Sequence, residues 1–230
     1  MKRIITLTLV VGCLLLTACN STSIGVIGGE DGPTIIIVSE KSNEKTLSYS
    51  IEEYFKDNYV DERKLPVLDI DIENPFVSDD RTLVLDDSID NNIELVIYEY
   101  YHSIMSGDYQ KAKNMIIDES LLAATEAHEN NFKEGIYYSR ISINEIDLVD
   151  KDELSEISSK NKQDIVEMLV EAEIEEFAIV EVEKTIKHNE KSLSMAPQVG
   201  DGEVTRYFLL GKKDGSYKII DVYWEGFMND

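Results

Sequence analysis

Hydrophobic and polar positions change rhythm several times along the chain. Residues 51–62, IEEYFKDNYVDE, place Ile51, Tyr54, Phe55 and Tyr59 on one helical face. The next stretch, KLPVLDIDIENPFVSDDRTLVLDDS, alternates instead, but Pro66 and Pro75 restrict it to short edge or extended segments. Residues 51–88 therefore read as an extended arm or linker. From Ser88 the period becomes helical: Ile93, Val96, Ile97, Tyr100, Tyr101 and Ile104 recur at three and four. Leu95, Tyr98 and Met105 widen that stripe, which predicts a mostly buried helix capped by Ser88 or Asp90 and stopped at Gly107. Shorter helices follow from Asp108 and from Asp118 or Glu119, the latter ending near Gly135.

Beyond Gly135 the rhythm is that of strands. IYYSRISINEIDLVD alternates with a phase change between Ile143 and Ile146, which predicts a bulge near Asn144. KDELSEISSKNKQDIVEMLVEAEIEE is helical by composition, with Ile165, Met168, Leu169 and Ala172 as its inner face. Three strands complete the chain: FAIVEVEKTIK, EVTRYFLLGK and SYKIIDVYW. Lys212-Lys213-Asp214-Gly215 joins the last two as a hairpin turn, because glycine accepts the positive φ such turns need.

This order of a long buried helix, short helices, a strand, more helix and a terminal hairpin DGSYKIIDVYW resembles the nuclear transport factor two-like, or cystatin-like, cone of the α+β class. The resemblance spans residues 89–227, within a domain read as 89–230. It implies a curved antiparallel sheet wrapped around a long N-terminal helix, with a concave pocket. That architecture carries both enzymes and catalytically silent binding modules, so it does not by itself fix an activity.

The N-terminus has a different logic. Residues 1–18, MKRIITLTLVVGCLLLTA, carry Lys2 and Arg3, then an apolar run too short to span a bilayer, then small residues. Leu16-Thr17-Ala18-Cys19 resembles the lipobox of bacterial lipoproteins, which implies cleavage before Cys19 and a diacylglycerol on its thiol. Two acyl chains anchor stably, at about 0.8 kcal/mol per buried methylene. The expected location is lipid-anchored, on the extracytoplasmic face of a bacterial membrane. Cys13 would leave with the signal, so the domain would fold without disulfides or a thiolate nucleophile.

Residues 19–50 form a lipidated tether that contains IGVIGGEDGPTIIIVSEK. Asp31-Gly32-Pro33 favours a turn, and TIIIVS favours a strand that could pair back on IGVIG. An exposed TIIIV edge would invite aggregation, so a cover is required. IGVIGGEDGPT resembles a glycine-rich box of the sodium-translocating decarboxylase β subunit, through Gly25, Ile27, Gly28, Gly29, Asp31, Gly32, Pro33 and Thr34. The multiple membrane spans that house that box are missing here, so ion pumping does not carry over. The segment reads either as a covered structural hairpin or as a docking motif for an envelope membrane protein.

Charge narrows the partners. The chain has 22 Lys and Arg against 46 Asp and Glu, a formal net charge of −24. Such a surface repels polyanions, so nucleic acid is excluded as a partner. Candidate chemistry is sparse. Tyr98, Tyr101 and His102 on the first long helix could converge with Tyr207, Asp221, Tyr223 and Trp224 on the closing strands. His102 with Asp221 is the best acid/base pair for an enzyme of the cone fold, but tyrosines filling a core explain the same residues. His128 and His188 are isolated in sequence. Asp69, Asp71, Glu73 and Asp80 have partial EF-hand spacing, but Asn74 stands where glycine is needed. No GxSxG elbow or phosphate-binding glycine loop occurs. The reading favours a non-catalytic ligand- or protein-binding lipoprotein with no catalytic residue, cofactor or metal site, over a small-molecule enzyme.

Overall fold

A computed structural model describes residues 23–29, 32–38 and 47–228. The signal peptide, Cys19 and Asp31 lie outside the described residues. The chain divides into two compact units, Met1–Ser48 and Tyr49–Asp230.

In the first unit, β1 (Ser23–Gly29) pairs antiparallel with β2 (Gly32–Val38). The register sets Ile27 opposite Thr34, Gly28 opposite Pro33 and Gly29 opposite Gly32. This is the strand pairing expected from the glycine-rich stretch. β3 (Leu47–Ser50) leads into the second unit.

The second unit is α+β, built on a six-stranded sheet. Helix α1 (Ile51–Asn58) opens with a reciprocal cap: Ser50 Oγ accepts from the Glu53 N–H at 3.2 Å, and Glu53 accepts from the Ser50 N–H. Strands β4 (Phe76–Ser78) and β5 (Arg81–Leu85) form a hairpin. Helix α2 (Asn92–Ser106) is capped by Asn91, whose side chain accepts from the Ile93 and Glu94 N–H groups, and it ends at Gly107 with φ 81°. Helices α3 (Tyr109–Asn114) and α4 (Glu119–Lys133) follow, capped by Asp108 and Asp118. Strand β6 (Tyr138–Leu148) shifts register between Ile143 and Glu145, the predicted bulge at Asn144. After α5 (Ser159–Glu171) come β7 (Phe177–His188), the short helix α6 (Glu190–Ser194), β8 (Gly202–Lys213) and β9 (Ser216–Trp224). Asp214 and Gly215 take φ of 53° and 81° at the last turn, as the hairpin signal requires.

The strand order is β4-β5-β6-β7-β8-β9, and all neighbours are antiparallel except β5 and β6. That parallel pair corrects the expectation of a wholly antiparallel sheet: α2, α3 and α4 make the crossover that parallel pairing demands. Residues 51–88, read as an arm, supply α1 and two strands to the same compact unit. Pro75 sits just before the edge strand β4, as its missing N–H dictates. β5 is paired on both sides, with Leu83 and Leu85 buried.

Both faces of the sheet are covered. Successive residues of a strand point to opposite faces. On β7, Phe177 meets the rings of Phe55 and Tyr59 edge-on at 5.1 and 5.2 Å, whereas Lys184 meets Tyr101 of α2. One face therefore carries α1 and α5, and the other carries α2. This explains why Phe177, Ala178, Ile179 and Val180 form an unbroken buried run rather than an alternating one. In α5, Ile165, Val166 and Leu169 are buried, with Val166 replacing the expected Met168. Among the described residues, no helix is long and apolar enough to cross a membrane.

Candidate functional site

The seven residues expected to share a pocket are distributed over both faces and both edges of the sheet. His102 packs against Phe76 of the edge strand β4, with ring centroids 4.2 Å apart, and Tyr98 lies 6.1 Å from the same imidazole. Asp221 belongs to β9, the opposite edge strand. The proposed acid/base partners are therefore not brought together. Tyr207 donates to Glu181 at 2.7 Å, and Tyr223 stacks on Phe227 at 4.2 Å. Phe227 in turn accepts from Asn161 of α5, so Tyr207, Asp221 and Tyr223 share the α5 face. Tyr101 and Trp224 lie on the other face.

On that α2 face the structure forms a partly open cavity of about 490 Å³. Ile104, Met105 and Tyr109 line it from α2 and α3, and His128 and Asn131 from α4. The sheet contributes Arg81, Tyr138, His188, Arg206 and Trp224, and Ile136 and Tyr137 line it from the segment before β6. Ser192 of α6 and the following Met195, Pro197, Gln198 and Val199 close the remaining side. Of the seven expected residues, Trp224 alone is in this lining.

The register explains how the polar groups meet. Tyr138 pairs with His188 across β6 and β7, and their rings are 4.8 Å apart. His128 approaches the same tyrosine from α4, at 6.1 Å. Arg206 pairs with Trp224 across β8 and β9, and its guanidinium carbon lies 3.6 Å from the indole centroid. One Nη of Arg206 donates to the Thr205 carbonyl at 2.6 Å; its other donors meet no protein acceptor among the described residues. Arg81 is 4% exposed, with its guanidinium 4.5 Å from the Phe132 centroid, and its Nη1 is buried without a hydrogen-bond partner. Its nearest carboxylate, Asp79, is 3.8 Å from the other Nη and exposed to solvent.

Among the described residues, no aspartate or glutamate lines the cavity, although the chain contains 46. The carboxylates nearby are occupied elsewhere: Asp80 accepts from the Tyr137 hydroxyl, and Asp201 accepts from the His188 backbone N–H at 2.8 Å. The His188 Nδ1 is 3.0 Å from the same Asp201 oxygen, and these contacts hold the Asp201 carboxyl below the usual carboxylate range. Lys184, on the same sheet face as Arg206, donates to the Tyr101 hydroxyl and sits 4.4 Å above that ring. Burial first, and the positive charge of Arg206 second, push its ammonium down to about 7. Burial, then Lys184, also lowers the His128 imidazole, and burial raises the Tyr138 phenol. Among the described residues, the charged side chains that line the cavity are the guanidinium groups of Arg81 and Arg206, with Asp79, Asp80, Asp201 and Glu225 placed around the lining rather than in it.

Chemically, the arrangement offers guanidinium donors beside apolar walls, a geometry suited to holding an anionic group attached to an apolar body. Sequence reasoning passed over His128 and His188 because they are 60 positions apart. Only strand register brings them to Tyr138. A readable signal was present in SYKIIDVYW: Tyr223 and Trp224 are consecutive in a strand, so they cannot share a face. Comparison with protein-family models, with curated proteins and with solved structures gives no match.

Proposed function

We propose that the protein is a lipid-anchored, extracytoplasmic, non-enzymatic binding module, with Cys19 carrying the diacylglycerol and the second unit forming a nuclear transport factor two-like cone. The observation that carries the binding reading is the 490 Å³ cavity, lined by two arginines and two histidines and, among the described residues, by no carboxylate. Its volume lies within the range of small-molecule sites, and its walls combine apolar side chains with a few convergent polar groups. The order of helices and strands after Asn91 and the covered α2 face support the cone assignment. Leu16-Thr17-Ala18-Cys19 supports the anchor. The β1–β2 hairpin, close in sequence to that cysteine, is the docking element toward an envelope membrane protein.

Fractionation of cells expressing the full chain tests the anchor. The wild type sediments with membranes, and Cys19→Ser moves to the soluble fraction or accumulates as precursor. Palmitate label entering Cys19→Ser would overturn the lipid assignment. Deleting residues 24–38 changes the membrane proteins that co-purify; an unchanged set would remove the docking role.

A further inference from the structure

We infer that the occupant of the cavity is a small organic oxyanion with an apolar body, its carboxylate or phosphate held by Arg206, with Arg81 as a second positive charge in the lining. The inference rests on the binding role proposed for the cavity, and it names the chemical class that role would serve.

Four observations lead to it. First, Arg206 is presented rather than consumed: Trp224 covers one side of the guanidinium plane, and one donor satisfies Thr205. Its remaining N–H groups meet no protein acceptor among the described residues, and the side chain lines the cavity. A planar guanidinium with two parallel donors matches the two oxygens of a carboxylate or phosphate, and packing on the indole restricts the orientations it can take. Second, Arg81 adds a second guanidinium to the same lining, and its nearest carboxylate among the described residues, Asp79, is turned out to solvent. Third, the charge pattern is inverted: in a protein of net charge −24, no carboxylate among the described residues lines this cavity. Low-dielectric walls then strengthen attraction for an entering anion, whereas the outer surface discourages non-specific anion binding. Fourth, Ile104, Met105, Ile136, Pro197 and Val199 give the rest of the wall an apolar character. A bare inorganic anion would leave those walls dry and unfilled, and an apolar body attached to the oxyanion would cover them.

The test uses the full lipidated chain in phosphatidylcholine liposomes. Trp224 is its only tryptophan and lines the cavity, so its emission reports occupancy directly. Three ligands of one shape are titrated: 3-cyclohexylpropanoate, cyclohexyl phosphate and the neutral 3-cyclohexylpropanamide. The expected result is at least tenfold tighter binding of one or both anions than of the amide, and whichever anion leads identifies the source. Arg206→Gln brings anion and amide to the same affinity with the fold retained by circular dichroism, and Lys187→Gln, an exposed charge removed elsewhere, leaves the preference intact. If the amide binds as tightly as both anions, or if Arg206→Gln keeps the preference, the oxyanion inference is overturned while the cavity remains a binding site. If none of the three perturbs Trp224, the binding role itself falls with it.

Discussion

Arg206 packs over Trp224 across the β8–β9 register, its guanidinium carbon 3.6 Å from the indole centroid, and both side chains line the cavity. The indole is more than half exposed, so it contributes little as buried core and acts mainly on the arginine it covers. Trp224→Ala therefore leaves the unfolding midpoint nearly unchanged. It weakens oxyanion binding about two- to fivefold, equivalent to the ~0.5–1 kcal/mol of an exposed cation–π contact. Calorimetric titration checks this, since the fluorescent reporter is lost. A large fall in stability with unchanged affinity would mean that the stack serves the fold instead.

Lys184 links stability to pH in the opposite direction from function. Its ammonium titrates at about 7 in the folded protein against 10.5 when solvated, because burial and Arg206 disfavour the charged form. Between those two values the unfolded chain binds more protons, so this group makes stability rise with pH, and its full penalty is present below pH 7. Lys184→Met removes the penalty, offset in part by the lost partner of the Tyr101 hydroxyl. The variant should be more stable by about 1–3 kcal/mol at pH 6, with the difference shrinking toward pH 10. Equal stability differences at both pH values would contradict the assignment.

The same substitution tests the electrostatics of the cavity. The titratable groups that Lys184 meets are Arg206 on β8, Tyr101 on α2 and His128 on α4. Burial and Lys184 depress the His128 imidazole, leaving it largely uncharged near pH 7. Wild-type affinity for the oxyanion should fall as pH rises through 7, and Lys184→Met should bind more weakly with a flatter profile. Titration at pH 6, 7 and 8 distinguishes these; identical profiles would place Lys184 outside the site's electrostatics.

Gly107 joins the end of α2 to the wall that holds Arg81. Its φ of 81° belongs to the left-handed region, and an added Cβ would lie 3.2 Å from the Phe132 ring and 3.5 Å from Arg81 Nη1. Gly107→Ala should cost about 1–2 kcal/mol in denaturant unfolding. It should also disturb binding through Phe132, whose ring carries the Arg81 guanidinium. An unchanged midpoint would be inconsistent with this packing.

Local chemistry made much of the fold legible. Gly107 stops α2, the phase change at Asn144 marks a register shift, and Asp214-Gly215 closes the last hairpin, because each is decided within a few residues. Two features depended on distant partners. β5 looks like an edge segment beside Pro75 until β6 pairs with it in parallel. The seven expected pocket residues look convergent until alternation sends Tyr207, Asp221 and Tyr223 to the α5 face and leaves Trp224 on the α2 face. His102 and Asp221 are attractive as types, but sheet order puts them at opposite edges. The cavity escaped notice because Arg81, His128, His188 and Arg206 come from four separate elements, and no sequence spacing joins them.

A crystal structure of the full chain grown with 3-cyclohexylpropanoate would test most directly whether the cavity on the α2 face is an oxyanion site. The predicted result is one ligand inside the cavity, its carboxylate oxygens about 3 Å from the Arg206 guanidinium and its ring against the apolar wall. A cavity left without ligand at saturating concentration, or a ligand bound with its carboxylate turned away from both arginines, would contradict it.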